Sequence, residues 1–436
     1  MKYRKQQLIH RAVYLFTITV LVWVSSNINW EERRAGRIIN VDGNGYYAYL
    51  PAVFIYNDLN FTFFEDIYEK YQISNFGFDY RNEWDGHTIN KFFAGTALVQ
   101  LPFFLLADLA TVFSSYDRDG YSYYYLIFIN IASLFYLMLA LYLFDRYLRE
   151  EGLRLWVRTF LLLVMVFGTN VFYYAVYEPS MSHVYSLAFV SMYLFLVKRF
   201  ANTRKKTLLL LTGLSLGIIA LIRPVNLLVV LLIPFLLRGS GISMEYLVRS
   251  NWKWLIGGVV IFLGVIFIQL LIYKLQTGNF LVYSYGDDGF DFMNSRFFSF
   301  LVSYRKGLWV YTPVTFVSVF GIFFLWKRSR TRAILITLFL VILIYVLASW
   351  HQWYYGGSYS SRVMVEYMPL FMFLLGILLT DIRNKPFRNT LLGLVVLLSV
   401  FNLFQTYQYY AGIIHWTDMD REYYWEVFLH LTNPRS

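Results

Sequence analysis

The chain has 436 residues, of which 58% are hydrophobic, 21% aromatic and only 15% charged, with a mean hydropathy of +0.49. Soluble domains carry roughly 45–50% apolar residues, so the composition excludes an ordinary soluble or disordered protein and points to a polytopic membrane protein. Cysteine is absent, which excludes disulfides and thiolate metal sites, and the net charge of +11 suggests nucleic acid only until it is assigned to loops.

The N-terminus, Met1 to Arg11, is basic and runs into an apolar stretch ending at Ile28 without a small-residue cleavage site, which predicts a retained helix rather than a signal peptide. Apolar runs then predict about eleven spans, near 12–28, 122–144, 157–176, 184–197, 208–222, 225–237, 255–273, 309–326, 333–349, 368–380 and 389–407. Residues 92–113 are apolar but interrupted by Gln100, Pro102 and Asp108, and read as an interfacial or re-entrant element. Residues 207–237 read as a hairpin with Arg223-Pro224 at its outer tip, because one continuous helix would bury Arg223 near mid-bilayer.

With the N-terminus inside, the basic clusters Lys2 to Arg11, Arg146 to Arg158, Lys198 to Lys206, Arg238 to Lys253, Lys327 to Arg332 and Arg383 to Arg388 are all cytoplasmic. That arrangement obeys the positive-inside rule. It explains the basic balance as membrane orientation, so no nucleic-acid partner is expected. The outer face then carries a long loop, 29–121, a short one at Glu178, two more at 274–308 and 350–367, and the tail 408–436. A loop of 29–121 is too long for a mere connector.

In that first loop, Asn40-Val-Asp-Gly-Asn-Gly-Tyr-Tyr-Ala-Tyr-Leu-Pro51 presents Asp42 among glycines and tyrosines. A carboxylate within reach of an acceptor hydroxyl serves as a general base, with Tyr46 and Tyr47 lining the approach. The same Asp-Gly and Asn-Gly pairs are also turn formers. Glu178, in Tyr173-Tyr-Ala-Val-Tyr-Glu-Pro-Ser-Met-Ser-His183, lies between two apolar spans, where an acid and a histidine are expensive unless partnered or solvated. With Asp42 it builds a two-acid site or holds a divalent cation, Mg or Mn, through oxygens. The plainer alternative for Glu178 and His183 is polarity at a helix end.

Lys91, Arg223 and Arg362 sit on the outer face, where the positive-inside rule disfavours them. A phosphate at headgroup level supplies a reason; snorkelling or pairing with a carboxylate such as Glu366 supplies another. Trp350, His351 and Tyr354 belong to an aromatic segment with a Gly-Gly pair, either a substrate-binding loop or an interfacial belt. Asp287, Asp288 and Asp291 are too irregular for an EF-hand and read as a solvated turn.

In this layout the chain resembles membrane glycosyltransferases of the GT-C fold, which include protein O-mannosyltransferases, aminoarabinose transferases of lipid A and oligosaccharyltransferases. Asp42 matches the family's first acid, residues 92–113 its juxtamembrane helices, Glu178 its second acid, and Gly213, Gly217, Arg223 and Pro224 its hairpin. Lys306-Gly-Leu-Trp-Val-Tyr-Thr-Pro313 and the stretch from Trp350 to Arg362 resemble segments of bacterial members. The first acid is a single Asp rather than an Asp-Asp or Asp-Glu pair.

The resemblance implies an all-α polytopic GT-C-like bundle, with a catalytic module at 1–237 and a variable C-terminal module at 238–436. It implies an inverting transferase in the bacterial cytoplasmic membrane, with its active site on the periplasmic face. The donor would be a polyprenyl-phosphate sugar and the acceptor a glycan, lipid or protein. Asp42 would deprotonate the acceptor, Lys91, Arg223 or Arg362 would stabilise the departing lipid phosphate, and Glu178 would orient a substrate or share a cation. A lipid-linked sugar flippase, an O-antigen ligase or polymerase, and a structural membrane subunit remain alternatives.

Overall fold

The computed structural model describes residues 2–28, 38–71 and 79–434. Residue 1, residues 29–37 and 72–78 of the stretch expected as the first outer loop, and the last two residues lie outside the described residues. The protein is mostly helical, and among the described residues eight helices are long and apolar enough to cross a membrane: Arg4–Ser26, Gly95–Val112, Tyr123–Glu150, Ser182–Thr203, Met244–Thr277, Arg330–Ala348, Arg362–Asp381 and Lys385–Tyr410.

Burial sorts these helices into centre and periphery. Every residue from Met368 to Leu379 is buried, so this helix forms the axis of the bundle. The Met244–Thr277 and Lys385–Tyr410 helices instead turn residues such as Val260, Leu263, Val396 and Leu397 outward. In water such exposure costs about 25 cal/mol per Å2; in hydrocarbon it costs nothing, which is the physical case for a multi-pass membrane protein. The longest helix starts at Ser243, whose side chain accepts the Tyr246 N–H, and stops at Gly278 with φ +75°. It crosses the Thr207–Ile222 helix so closely that a Cβ on Gly213 would lie 2.1 Å from the Gly258 carbonyl oxygen. Close glycine crossings of this kind suit lipid, where van der Waals packing replaces the hydrophobic effect.

Several expected spans differ in detail. The 157–176 run is broken into Leu155–Phe167 and Val171–Val176, and the 309–326 run into Leu308–Tyr311, Pro313–Val319 and Gly321–Arg328. Residues 92–113 form a continuous apolar helix, Gly95–Val112, despite Pro102. Its start abuts Leu221 and Ile222, and near its other end Asp108 accepts the Tyr125 hydroxyl at the beginning of the Tyr123–Glu150 helix.

The 207–237 hairpin is present. Its arms are Thr207–Ile222 and a 3-10 segment, Pro224–Leu232, leading into Ile233–Leu237. Both arms begin and end together, since Arg204 donates to the Ser240 carbonyl. Proline lacks an N–H and biases the preceding residue toward extended backbone, and Arg223 takes φ −151° at the tip. At 1.5 Å per residue the first arm is roughly 24 Å long, short of the ~30 Å hydrocarbon thickness, and its tip carries an exposed Pro224 beside a partly buried Arg223.

The helical architecture accords with the all-α expectation and carries one short hairpin among the described residues. Strands β1 (Arg81–Trp84) and β2 (His87–Asn90) form an antiparallel hairpin. Its loop, Asp85-Gly86, takes positive φ at both residues, +50° and +76°, as a two-residue hairpin turn requires. That Asp-Gly pair was a legible signal for it.

Candidate functional site

The Asp42 motif forms a short helix, Val41–Tyr47, and not the turn its glycines also suggest. The glycines are needed for approach: a Cβ on Gly43 would lie 2.0 Å from Ser180 Oγ, and one on Gly45 would lie 2.4 Å from the Phe92 ring. Val41, just before the acid, takes φ +43°, a strained value for a β-branched residue. Successive helical residues point about 100° apart, which separates the two tyrosines. Tyr46 faces a cavity, whereas Tyr47 packs on Phe104 and Tyr121 and donates to the Gly120 carbonyl at 2.5 Å. Tyr47 therefore serves packing, contrary to its expected substrate role.

The cavity, about 340 Å3, gathers Asp42, Tyr46, Lys91, Arg223, Tyr285, Asp288, Trp350, His351, Tyr355 and Arg362. Arg362 binds Asp42 Oδ2 at 2.5 Å, and no partner to Oδ1 is found among the described residues. Lys91 binds Asp288 Oδ2 at 2.5 Å, and His351 Nε2 lies 3.1 Å from Oδ1 of the same acid. One wall is stitched from two loops: His351 N–H donates to the Gly289 carbonyl (3.0 Å) and Asp291 N–H to that of Ser349 (2.7 Å). This brings Tyr285 and Phe290 edge-on to Trp350.

Beneath the cavity lies Glu366, fully buried. His183 Nδ1 is 3.2 Å and Arg223 Nε 3.6 Å from its Oε1, and the Asn226 amide donates to the same oxygen at 3.4 Å. Asn226 is fixed in turn by Ser186 and Tyr367. One expectation is thereby corrected: His183 sits below the cavity as a partner of Glu366, because the first turn of its helix points into the bundle. Pairing with Glu366, the alternative offered for the three outer cations, holds for Arg223, while Arg362 turns to Asp42.

Glu178 does not line the cavity either. Its Oε1 accepts the Tyr173 hydroxyl at 3.1 Å, while Oε2 is buried without a hydrogen-bond partner among the described residues. Burial pushes this carboxyl up to about 7, against the opposing pull of Arg362. Lys306 carries the counterpart: burial pushes its amine down to about 7, opposed by Glu178. Its Nζ donates to the Trp416 carbonyl at 2.7 Å and lies over the Tyr409 ring. The tail is thus fastened behind the site, with Arg305 holding the Thr417 carbonyl and Asp418. Tyr354 packs under the Arg305 guanidinium, 3.6 Å from it, and not in the cavity.

The residues that reasoning from the sequence missed are Asp288, Tyr285 and Tyr355 in the cavity and Lys306 behind it. Asp291 does cap a turn at Met293 and Asn294 as expected. Asp288 looks the same in the sequence, and only its contact with Lys91, 197 positions away, distinguishes it. Among the described residues no three carboxylates or imidazoles converge as a cation site needs. Both cavity acids already face basic side chains, so the residues present do not fit a divalent ion.

No family model matches this chain, and no curated protein or solved structure matches it at a significant level.

Proposed function

We propose that the cavity is the active site of an inverting glycosyltransferase that moves a sugar from a polyprenyl-phosphate donor to a hydroxyl on a glycan, lipid or protein. The observation that carries this reading is the constellation itself: one carboxylate, Asp42, tied through one oxygen to Arg362, in an aromatic-walled cavity that also holds Lys91 and Arg223. Asp42 takes the proton of the acceptor hydroxyl, whose oxygen bonds to the anomeric carbon as the bond to the phosphate oxygen breaks. The departing lipid phosphate keeps that electron pair and is stabilised by the guanidinium and ammonium groups. Tyr46 and Trp350 offer the sugar flat apolar faces. The strained Val41 next to Asp42 is in keeping with a functional site, where such strain concentrates.

On this reading the bundle is GT-C-like with about eleven membrane crossings, and the Gly95–Val112 helix lies among the juxtamembrane elements. The N-terminus faces the cytoplasm of a bacterial cell and the cavity opens toward the periplasm. Support comes from the ion pairs Lys198–Glu151, Arg332–Glu151 and Arg328–Asp381, which collect the basic clusters at the end of the helices remote from the cavity. Glu178 and Lys306 back Arg362 from behind and set its electrostatic surroundings.

The test is transfer of radiolabelled sugar from native polyprenyl-phosphate donors in membranes containing the protein. Asp42→Asn, made at normal levels, should lose on the order of 10²-fold or more of the activity if Asp42 is the base. Equal transfer by both proteins removes Asp42 from the chemistry.

A further inference from the structure

Each cation at the cavity already has a carboxylate partner: Arg362 has Asp42, Arg223 has Glu366, and Lys91 has Asp288, which His351 shares. An entering anion either uses N–H groups that an acid leaves free, as at the two guanidiniums, or displaces the acid, and the three acids are not equally displaceable. Glu366 is enclosed between helices by His183 and Asn226. Asp42 rides on a helix that Gly43 and Gly45 press against Ser180 and Phe92. Asp288 is different, with a side chain 29% exposed against 13% for Asp42 and none for Glu366.

The backbone around Asp288 is fastened on both sides independently of its carboxylate. Asn82 holds the Ser284 carbonyl, His351 N–H the Gly289 carbonyl, and Asp291 N–H the Ser349 carbonyl. A change of rotamer alone therefore moves the carboxylate off Lys91 and into solvent, with no opening of the loop.

We infer that Asp288 is a built-in competitor occupying an anion subsite made by Lys91 and His351, and that a phosphate group of the ligand takes its place on those two side chains. The inference rests on reading the cavity as a phosphate-binding site and adds which part of it exchanges. Removing the competitor then strengthens binding, the opposite of what removing a structural or catalytic acid does.

The experiment is calorimetric titration of the purified full-length protein in lipid nanodiscs with two probes, inorganic pyrophosphate and a polyprenyl phosphate. Asp288→Asn should bind at least one probe roughly fivefold tighter, the scale of a partly exposed ion pair. Asp287→Asn makes the same change in net charge at the exposed neighbouring residue and should leave affinity unchanged. The gain should vanish in Lys91→Ala/Asp288→Asn, since the two act through one contact. Tightening toward both probes supports the subsite and shows that a free phosphate group suffices; tightening toward the lipid alone supports it and assigns the anion to a lipid headgroup. Unchanged or weaker binding in Asp288→Asn, while Arg362→Ala loses binding, overturns the competitor and leaves the phosphate reading standing. No binding of either probe to any of the proteins overturns both.

Discussion

Two sets of ion pairs, one around the cavity and one at the remote end of the bundle, use the same kinds of side chain for different purposes. At the end remote from the cavity, Arg158 grips both oxygens of Asp145, and Glu151 meets Lys198 and Arg332. These pairs join the ends of neighbouring helices to one another, so their purpose is to hold helices in register. At the other end, Asp42–Arg362 and Asp288–Lys91 join loops and helix tips around an open volume. The charge chemistry is the same in both places. What differs is room, because a pair bordering a cavity is available to a ligand and a pair wedged between helices is not.

The two ends should respond most differently when one arginine is removed from each. Arg362→Ala should lower sugar transfer by about 10²–10³-fold, the usual loss when a donor to developing charge is deleted. Arg332→Ala should instead destabilise the fold by about 1–2 kcal/mol, less than the loss of a sole partner because Lys198 still faces the buried Glu151, with transfer per folded molecule little changed. Thermal unfolding and transfer measured on the same preparations separate the two, and parallel losses in both variants would erase the distinction.

A smaller effect sharpens it. Glu178 titrates near 4.5 in the unfolded chain and about 7 in the folded one, so between those values the folded state holds more proton. Stability from this group is full below about 4.5 and is lost as pH rises through about 7. Glu178→Gln should therefore unfold at a temperature less dependent on pH across that window than the native protein does. A slope unchanged by the substitution would show that Glu178 is not the titrating group. The smallest effects belong to the tyrosines. Tyr354→Phe, outside the cavity, should leave transfer within about twofold, whereas Tyr46→Ala should cost around tenfold by loosening substrate placement. A reversed order would relocate the binding surface.

Much of this architecture is legible in the chain. Arg223-Pro224 marks a hairpin tip because proline cannot continue a helix, and the structure puts the tip there. Asp42, Lys91, Arg223 and Arg362, singled out as unusual charges among apolar residues, do line one cavity. Less legible were residues whose meaning depends on a partner. Tyr46 and Tyr47 are adjacent and chemically identical, yet one faces the cavity and the other the core, since the motif is a helix and not a turn. Tyr354 and Tyr355 also part, Tyr354 lying half-buried under Arg305 and Tyr355, at φ +56°, turned into the cavity wall.

Residue pattern alone is enough to establish a helical, cysteine-free membrane protein, where most helices run, and which charges need an explanation. Those are local properties, carried by hydropathy and the backbone habits of proline and glycine. Only the tertiary structure decided that Asp42 meets Arg362 across 320 positions, that Asp288 and not Asp287 closes on Lys91, and that Glu366 anchors Arg223. An ion pair depends on distance in space, and the chain specifies that distance only through the packing of every helix between the two residues.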